Sequence, residues 1–165
     1  MMPKDKNSDR RGAGFQPETV STCSVPTSKF YRQFILEASR SPKYRGKIEE
    51  TGPRPGEKVV RLEGSNPSCG DQLTLYLKIA DNRIVDAKFE GSGCAISMAS
   101  AHFLCENLIG KDLKSAREYV EKYLRSLDSG AVDPDYTPFD SFALMPSRVR
   151  CARLGWETAG EMLKR

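Results

Sequence analysis

Gln72-Leu73-Thr74-Leu75-Tyr76-Leu77-Lys78-Ile79-Ala80 sets Leu73, Leu75, Leu77 and Ile79 at every second position, with Thr74, Tyr76 and Lys78 between them. That period predicts a half-buried strand. Asp81, Asn82 and Arg83 supply a turn, and Ile84 to Phe89 reads as the returning strand of an antiparallel hairpin, with one face left for helices. Upstream, Lys58 to Leu62 is a shorter strand candidate, reached through a polar linker from Lys43 to Gly56. Ahead of the linker, Phe30, Tyr31, Phe34, Ile35 and Ala38 recur at helical spacing between Thr27 and Ser39, and Pro42 stops the pattern.

Downstream of the hairpin and Glu90-Gly91-Ser92-Gly93, the segment from Cys94 to Ile109 reads as a helix rich in small residues, ended by Gly110. A further helix is expected over Ser115 to Leu127, opened by the capping pattern Ser115-Ala116-Arg117-Glu118, with Ala116, Val120, Tyr123, Leu124 and Leu127 inward. Asp128 to Asp140 holds four aspartates, two prolines and no basic residue, and reads as a loop. The last helix begins near Ser147 and carries Val149, Ala152, Trp156, Ala159 and Leu163 on one side. Strands followed by helices predict an α+β fold. Residues 1–26, rich in Gly, Ser, Pro and charge, are expected to be a flexible arm, leaving 27–165 as one domain.

Hydrophobic residues make up 38% of the chain and charged residues 29%, which suits a folded globular protein. No apolar run reaches the roughly 18 residues of a membrane span, and MMPKDKNSDRRGAG lacks the apolar stretch of a signal peptide, so the expected compartment is the cytoplasm, with no membrane partner. The 26 basic residues are interleaved with 22 acidic ones and form no stripe, which argues against nucleic acid. An odd number of cysteines, five, in such a compartment favours metal or sulfur chemistry over disulfides.

Three of the five sit where chemistry is easily built. Cys69 lies in the turn-forming stretch Asn66-Pro67-Ser68-Cys69-Gly70-Asp71, where a thiol and a carboxylate two residues apart can converge and Gly70 lets the backbone fold tightly. Cys94 follows Gly91-Ser92-Gly93 at an expected helix N-terminus, where unpaired N–H groups favour a thiolate. Cys151 is expected in the first turn of the last helix, with the same benefit. All three fall at element junctions and not on apolar faces, and Asp71 would complete a four-coordinate site for zinc or a cluster. Buried free cysteines acting as small hydrophobes are the plain alternative. Along a continuous helix Cys105 lies about 16 Å from Cys94 and His102 about 12 Å, so neither shares its metal. Cys105 is expected in the core, His102 at the surface or behind the ligands, and Cys23 in the arm.

Asn66-Pro67-Ser68-Cys69-Gly70-Asp71, Gly91-Ser92-Gly93-Cys94-Ala95-Ile96-Ser97 and Arg148-Val149-Arg150-Cys151-Ala152-Arg153-Leu154-Gly155-Trp156 resemble the SufU/IscU/NifU N-terminal family of iron–sulfur assembly proteins. The first-helix stretch Phe30-Tyr31-Arg32-Gln33 through Pro42 is similar as well. Arg150 stands where Isc-type relatives carry a histidine, the chaperone-recognition LPPVK segment is missing, and the connection between the second and third cysteines is long. These features resemble the SufU branch. The resemblance implies a three-stranded antiparallel sheet packed by helices and a site of Cys69, Asp71, Cys94 and Cys151 binding zinc, with iron or a [2Fe–2S] cluster as the alternative. It also implies a PLP-dependent, SufS-like cysteine desulfurase partner that presents a persulfide, and a downstream scaffold such as the SufBCD complex. In that branch the first cysteine enters the desulfurase site during zinc exchange and the last is the usual sulfur acceptor. Arg148 matches a family arginine.

Three thiolates and a carboxylate around a divalent cation sum to a formal charge of about −2, keeping the sulfurs electron-rich. The hard carboxylate of Asp71 is the most exchangeable of the four. Arg148 and Arg150, expected in the first helical turn, oppose the dipole, and would offset an anionic site or dock an acidic partner, with ordinary solvated arginines as the plain alternative. The leading expectation is a zinc-dependent sulfurtransferase with Cys151, Cys69 and Arg148 in the chemistry. A labile-cluster scaffold on the same ligands, and a metal of purely structural role, are its alternatives.

Overall fold

The computed structural model describes residues 29–50, 54–130 and 146–165. The arm with Cys23, and most of the acidic loop, fall outside the described residues. A three-stranded antiparallel sheet in the order β1-β2-β3 forms one layer: β1 (Glu57–Asn66), β2 (Asp71–Ala80) and β3 (Arg83–Ser92). Among the described residues, four helices follow the expected order around it: α1 (Lys29–Arg40), α2 (Ala95–Leu108), α3 (Leu113–Ser129) and α4 (Pro146–Lys164). The fold is α+β, as the sequence predicts.

The alternation in β2 does what its period requires. Leu73, Leu75, Leu77 and Ile79 are buried in the core. Asp81 and Asn82 have positive φ, 49° and 62°, the conformation of a two-residue type I′ turn, so Arg83 already belongs to β3 and pairs with Ala80. One register shift interrupts the β2–β3 ladder at Lys78/Ile79. It lets Ile84, Ala87 and Phe89 all reach the core while Val85 stays exposed, a change of face that strict alternation forbids.

β1 is longer than the apolar segment Lys58 to Leu62 because pairing carries it on. The ladder runs from Glu57↔Ala80 to Asn66↔Asp71, which fixes where the next turn begins. The start of the expected linker is also structured: Phe89 N–H donates to Tyr44 O, Gly46 N–H donates to Phe89 O, both at 2.9 Å, and Tyr44 is buried. These bonds cover part of the edge of β3.

α2 is the central helix. Every residue from Ser97 to Cys105 is buried, because α2 contacts α1, α4 and the sheet. Cys105 is fully buried and its thiol is pushed far above the ordinary cysteine range by that burial, so it is core, as expected. His102 is not at the surface: it is buried edge-on to Tyr44, ring centroids 4.8 Å apart. Burial lowers its pKa, and the charged groups acting on it are Glu106, Lys43 and Arg45.

α3 begins two residues before the expected Ser115. Asp112 is its N-cap and accepts from Ser115 N–H at 2.9 Å and from Ser115 Oγ at 2.7 Å, so Ser115 is the partner of the cap and not the cap. Asp128 and Ser129, read as loop, belong to its last turn. In α4, Pro146 occupies the first helical position, where a missing N–H costs nothing. Ala152, Trp156, Ala159 and Leu163 are buried and Val149 is half-buried, the expected face.

Trp156 is where α2, α3 and α4 meet. It is fully buried, its ring lies 4.0 Å from that of Tyr123, and its Nε1 donates to Ser100 Oγ at 2.9 Å. Trp156→Ala is expected to cost about 3–5 kcal/mol, read from urea denaturation followed by circular dichroism, with Trp156→Phe costing less because it keeps most of the buried area. Equal costs for the two would mean that the indole is not the packing element described.

Candidate metal centre

Three separate pieces of backbone end at one point. The β1–β2 turn brings Cys69 and Asp71, the β3–α2 junction brings Cys94, and α4 brings Cys151. The turn is built around Asn66. Its carbonyl accepts from Cys69 N–H at 3.3 Å and Gly70 N–H at 2.9 Å, and its Oδ1 accepts from Ser68 N–H at 3.2 Å. Gly70 has φ +71°, which supports the expected tight fold between thiol and carboxylate. Arg150 Nη1 donates to Ser68 Oγ at 2.7 Å, tying α4 to the turn.

Asp71 opens β2 and is almost fully buried. Both its oxygens are engaged: Oδ1 accepts from Cys94 N–H at 3.0 Å and Oδ2 from the Ser97 hydroxyl. Burial alone would raise its pKa. Hydrogen bonds from Ser97, Cys69, the Cys94 N–H and Cys151 outweigh it and hold the carboxyl below the ordinary aspartate range. The carboxylate can sit so close to the β3–α2 junction because residue 93 is glycine. A Cβ there would come within 2.8 Å of Asp71 Oδ1 and 2.9 Å of its Cγ.

Cys94 is the N-cap of α2, and its sulfur accepts from Ser97 N–H at 3.5 Å, the helix-start placement expected for it. Cys151 departs from expectation. It is the sixth residue of α4, in the second turn, so it has left the region of unpaired N–H groups. It is also buried, and burial, then hydrogen bonding with Cys94 and Cys69, pushes its thiol up to about 12. The metal-free chain therefore carries Cys151 as a thiol at neutral pH. Arg148 and Arg150 are correspondingly the third and fifth helical residues, and both are exposed.

Ligand atoms of Cys69, Asp71 and Cys151 all lie within 4.8 Å of one another. Cys94 stands outside that tight group, with its sulfur 3.8 Å from Asp71 Oδ2. The Cys69–Cys151 and Cys94–Asp71 spacings are those of neighbouring ligands on a tetrahedral ion. Two sulfurs at about 2.3 Å from zinc are about 3.8 Å apart, and a sulfur and an oxygen about 3.6 Å. The Cys151 Sγ to Cys69 Sγ distance is 3.7 Å. Of the donors, Cys69 is exposed, so the group is open to the outside on that side. Alongside the turn, a cleft of about 610 Å³ is lined by Asn66, Arg150, Arg153 and Leu154, among others.

Sequence reasoning passed over Ser97, Gly93 and Asn66. Each lies inside a motif quoted above, and a serine or asparagine that is buried beside a carboxylate or a turn gives no periodic signal.

Comparisons with known proteins show the family. The NifU-like N-terminal domain family matches residues 30–160. The iron–sulfur cluster assembly scaffold protein IscU of Thermotoga maritima is 40% identical over 140 residues, covering 82% of this chain and 93% of its own. The zinc-dependent sulfurtransferase SufU of Bacillus subtilis is 31% identical, over 77% of this chain and 84% of its own. A crystal structure from Fervidobacterium islandicum, assigned as an iron–sulfur cluster assembly scaffold for the SUF system, superposes with a TM-score of 0.69 at 36% identity, covering 79% of this chain and 94% of that one. The chain is a member of the NifU-like N-terminal domain family, the iron–sulfur cluster assembly family of IscU and SufU.

Proposed function

We propose that this protein is a zinc-dependent sulfurtransferase, accepting sulfane sulfur from a PLP-dependent cysteine desulfurase and passing it into cluster assembly. The observation that carries the reading is the convergence of Cys69, Asp71 and Cys151 within 4.8 Å, with Cys94 beside Asp71, at a point where Cys69 is exposed. Cys69, Asp71, Cys94 and Cys151 would hold the ion. Bound zinc stabilises thiolates, which Cys151 needs because its own environment disfavours one.

The chain's residues then divide the work. Cys69, on a hairpin turn, is the ligand placed to leave the site and meet a partner. The Cys151 thiolate attacks the outer sulfur of a persulfide, R–S–SH, the S–S bond breaks, and R–S⁻ departs while Cys151 becomes the persulfide. No oxidant is consumed. Arg148, exposed on α4 three residues before Cys151, offsets negative charge or docks an acidic partner surface.

Desulfurase turnover measured with and without the zinc-loaded protein tests the reading. Stimulation is expected, with Arg148→Ala weakening it while zinc stays bound. The second reading, a scaffold for a labile [2Fe–2S] cluster, is favoured by the naming of the 40%-identical Thermotoga relative. Iron content and visible absorbance without stimulation would select it.

A further inference from the structure

Ser97 has no role in the reading above, yet its hydroxyl lies against Asp71, Cys94 and Cys151, three of the four residues of the site. It donates to Asp71 Oδ2, lies 3.2 Å from the Cys151 carbonyl oxygen and 3.6 Å from Cys94 Sγ. Its N–H donates to Cys94 Sγ, and the residue is buried.

The arrangement is a modified helix cap. Cys94 is the N-cap and Ser97 the third helical residue, the position whose side chain in a capping box turns back to the N-cap N–H. Here Asp71 Oδ1 occupies that N–H instead, and the Ser97 hydroxyl bonds the other oxygen of the same carboxylate. Asp71 is thus clamped between two donors of α2, one on each oxygen. A hydroxyl has one hydrogen to give. With the Cys151 carbonyl as its second acceptor, Ser97 can release Asp71 without leaving its own donor unpaired, and it can do so on the backbone of the cysteine proposed to accept sulfur.

We propose that Ser97 is the positioning residue that sets how firmly Asp71 binds the metal, acting as a two-position latch between the Asp71 carboxylate and the Cys151 carbonyl. This rests on the four-residue zinc reading. Groups that orient metal ligands typically cost about 10- to 100-fold in metal affinity when removed.

Ser100 provides an internal control. One turn along α2, its hydroxyl donates to the Ala152 carbonyl at 2.8 Å and accepts from Trp156 Nε1. It ties α2 to α4 as Ser97 does, without that residue's contact to Asp71. The experiment is competition for zinc between a chromophoric chelator and the full-length protein as wild type, Ser97→Ala, Ser100→Ala, Asp71→Ala and the Ser97→Ala/Asp71→Ala double variant. Ser97→Ala is expected to weaken zinc binding about 10-fold or more. Ser100→Ala should leave affinity unchanged, and Ser97→Ala should add little once Asp71 is gone. Wild-type affinity in Ser97→Ala, an equal loss in Ser100→Ala, or additive losses in the double variant would overturn the latch. Failure of the wild type to bind zinc would instead overturn the metal reading itself.

Discussion

Cys151→Ser is expected to abolish stimulation of a cysteine desulfurase. The residue is buried against Cys69 at 3.7 Å, and that burial, then hydrogen bonding with Cys94 and Cys69, pushes its thiol pKa up to about 12. A serine hydroxyl stays protonated and cannot accept sulfane sulfur, so neither the nucleophile nor the product can form. Cys105→Ser, in the core and away from the proposed ligands, should keep stimulation. Turnover is read together with mass spectrometry of the trapped persulfide. Normal stimulation by Cys151→Ser, or persulfide found only on Cys23 or Cys105, would contradict the assignment.

Cys94→Ser is expected to lower zinc content well below one per chain and to destabilise the fold, whereas Cys105→Ser should leave zinc content intact. Serine at this position keeps the N-cap and the backbone N–H that bonds Asp71 Oδ1, so the substitution removes only the proposed sulfur donor beside Asp71, and the destabilisation follows from the lost metal. Equal zinc content in the two variants would contradict the ligand set. A pH dependence accompanies this. The folded, metal-free chain holds the Cys151 proton up to about 12, above the ordinary thiol value near 9, so between those values the unfolded state binds fewer protons. Metal-free stability should therefore fall as pH rises from about 9 toward 12, by linkage. Zinc must displace that proton, so its apparent affinity should rise with pH and its addition near neutrality should acidify a weakly buffered solution.

Much of the fold was legible because it is written in periods. The alternation of Leu73, Leu75, Leu77 and Ile79 and the helical spacing of Ala152, Trp156, Ala159 and Leu163 each record a buried face directly. What was not legible depends on how elements meet. Asp112 and Ser115 both look like helix caps in one dimension, and only the connection from α2 into α3, tied to the β2–β3 hairpin by Ile84 N–H to Lys111 O and Leu113 N–H to Asn82 O, selects Asp112. The register shift that turns Ile84 inward is a property of a pair of strands, invisible in either one.

The site divides the same way. Three cysteine motifs and Asp71 were readable as separate pieces, since turn residues and a helix start announce Cys69 and Cys94. Cys151 is expected in the first turn, but even a start near Ser147 makes it the fifth helical residue and the observed start at Pro146 the sixth, so it lies beyond that turn, and its raised pKa comes from burial and from neighbours distant in sequence. His102, expected at the surface or behind the ligands, is not at the surface, because α2 is buried on nearly every side and Tyr44 packs against it. Ser97 could be recognised only once Asp71 stood opposite it.

The central claim is that one ion is held by Cys69, Asp71, Cys94 and Cys151. Zinc-edge X-ray absorption of the purified protein tests it most directly, because the scattering shell reports donor type and distance. Three sulfurs at about 2.3 Å and one oxygen at about 2.0–2.2 Å are expected, with a sulfur lost in Cys94→Ser and the oxygen lost or replaced in Asp71→Ala. A shell of four sulfurs, or of light donors alone, would contradict it.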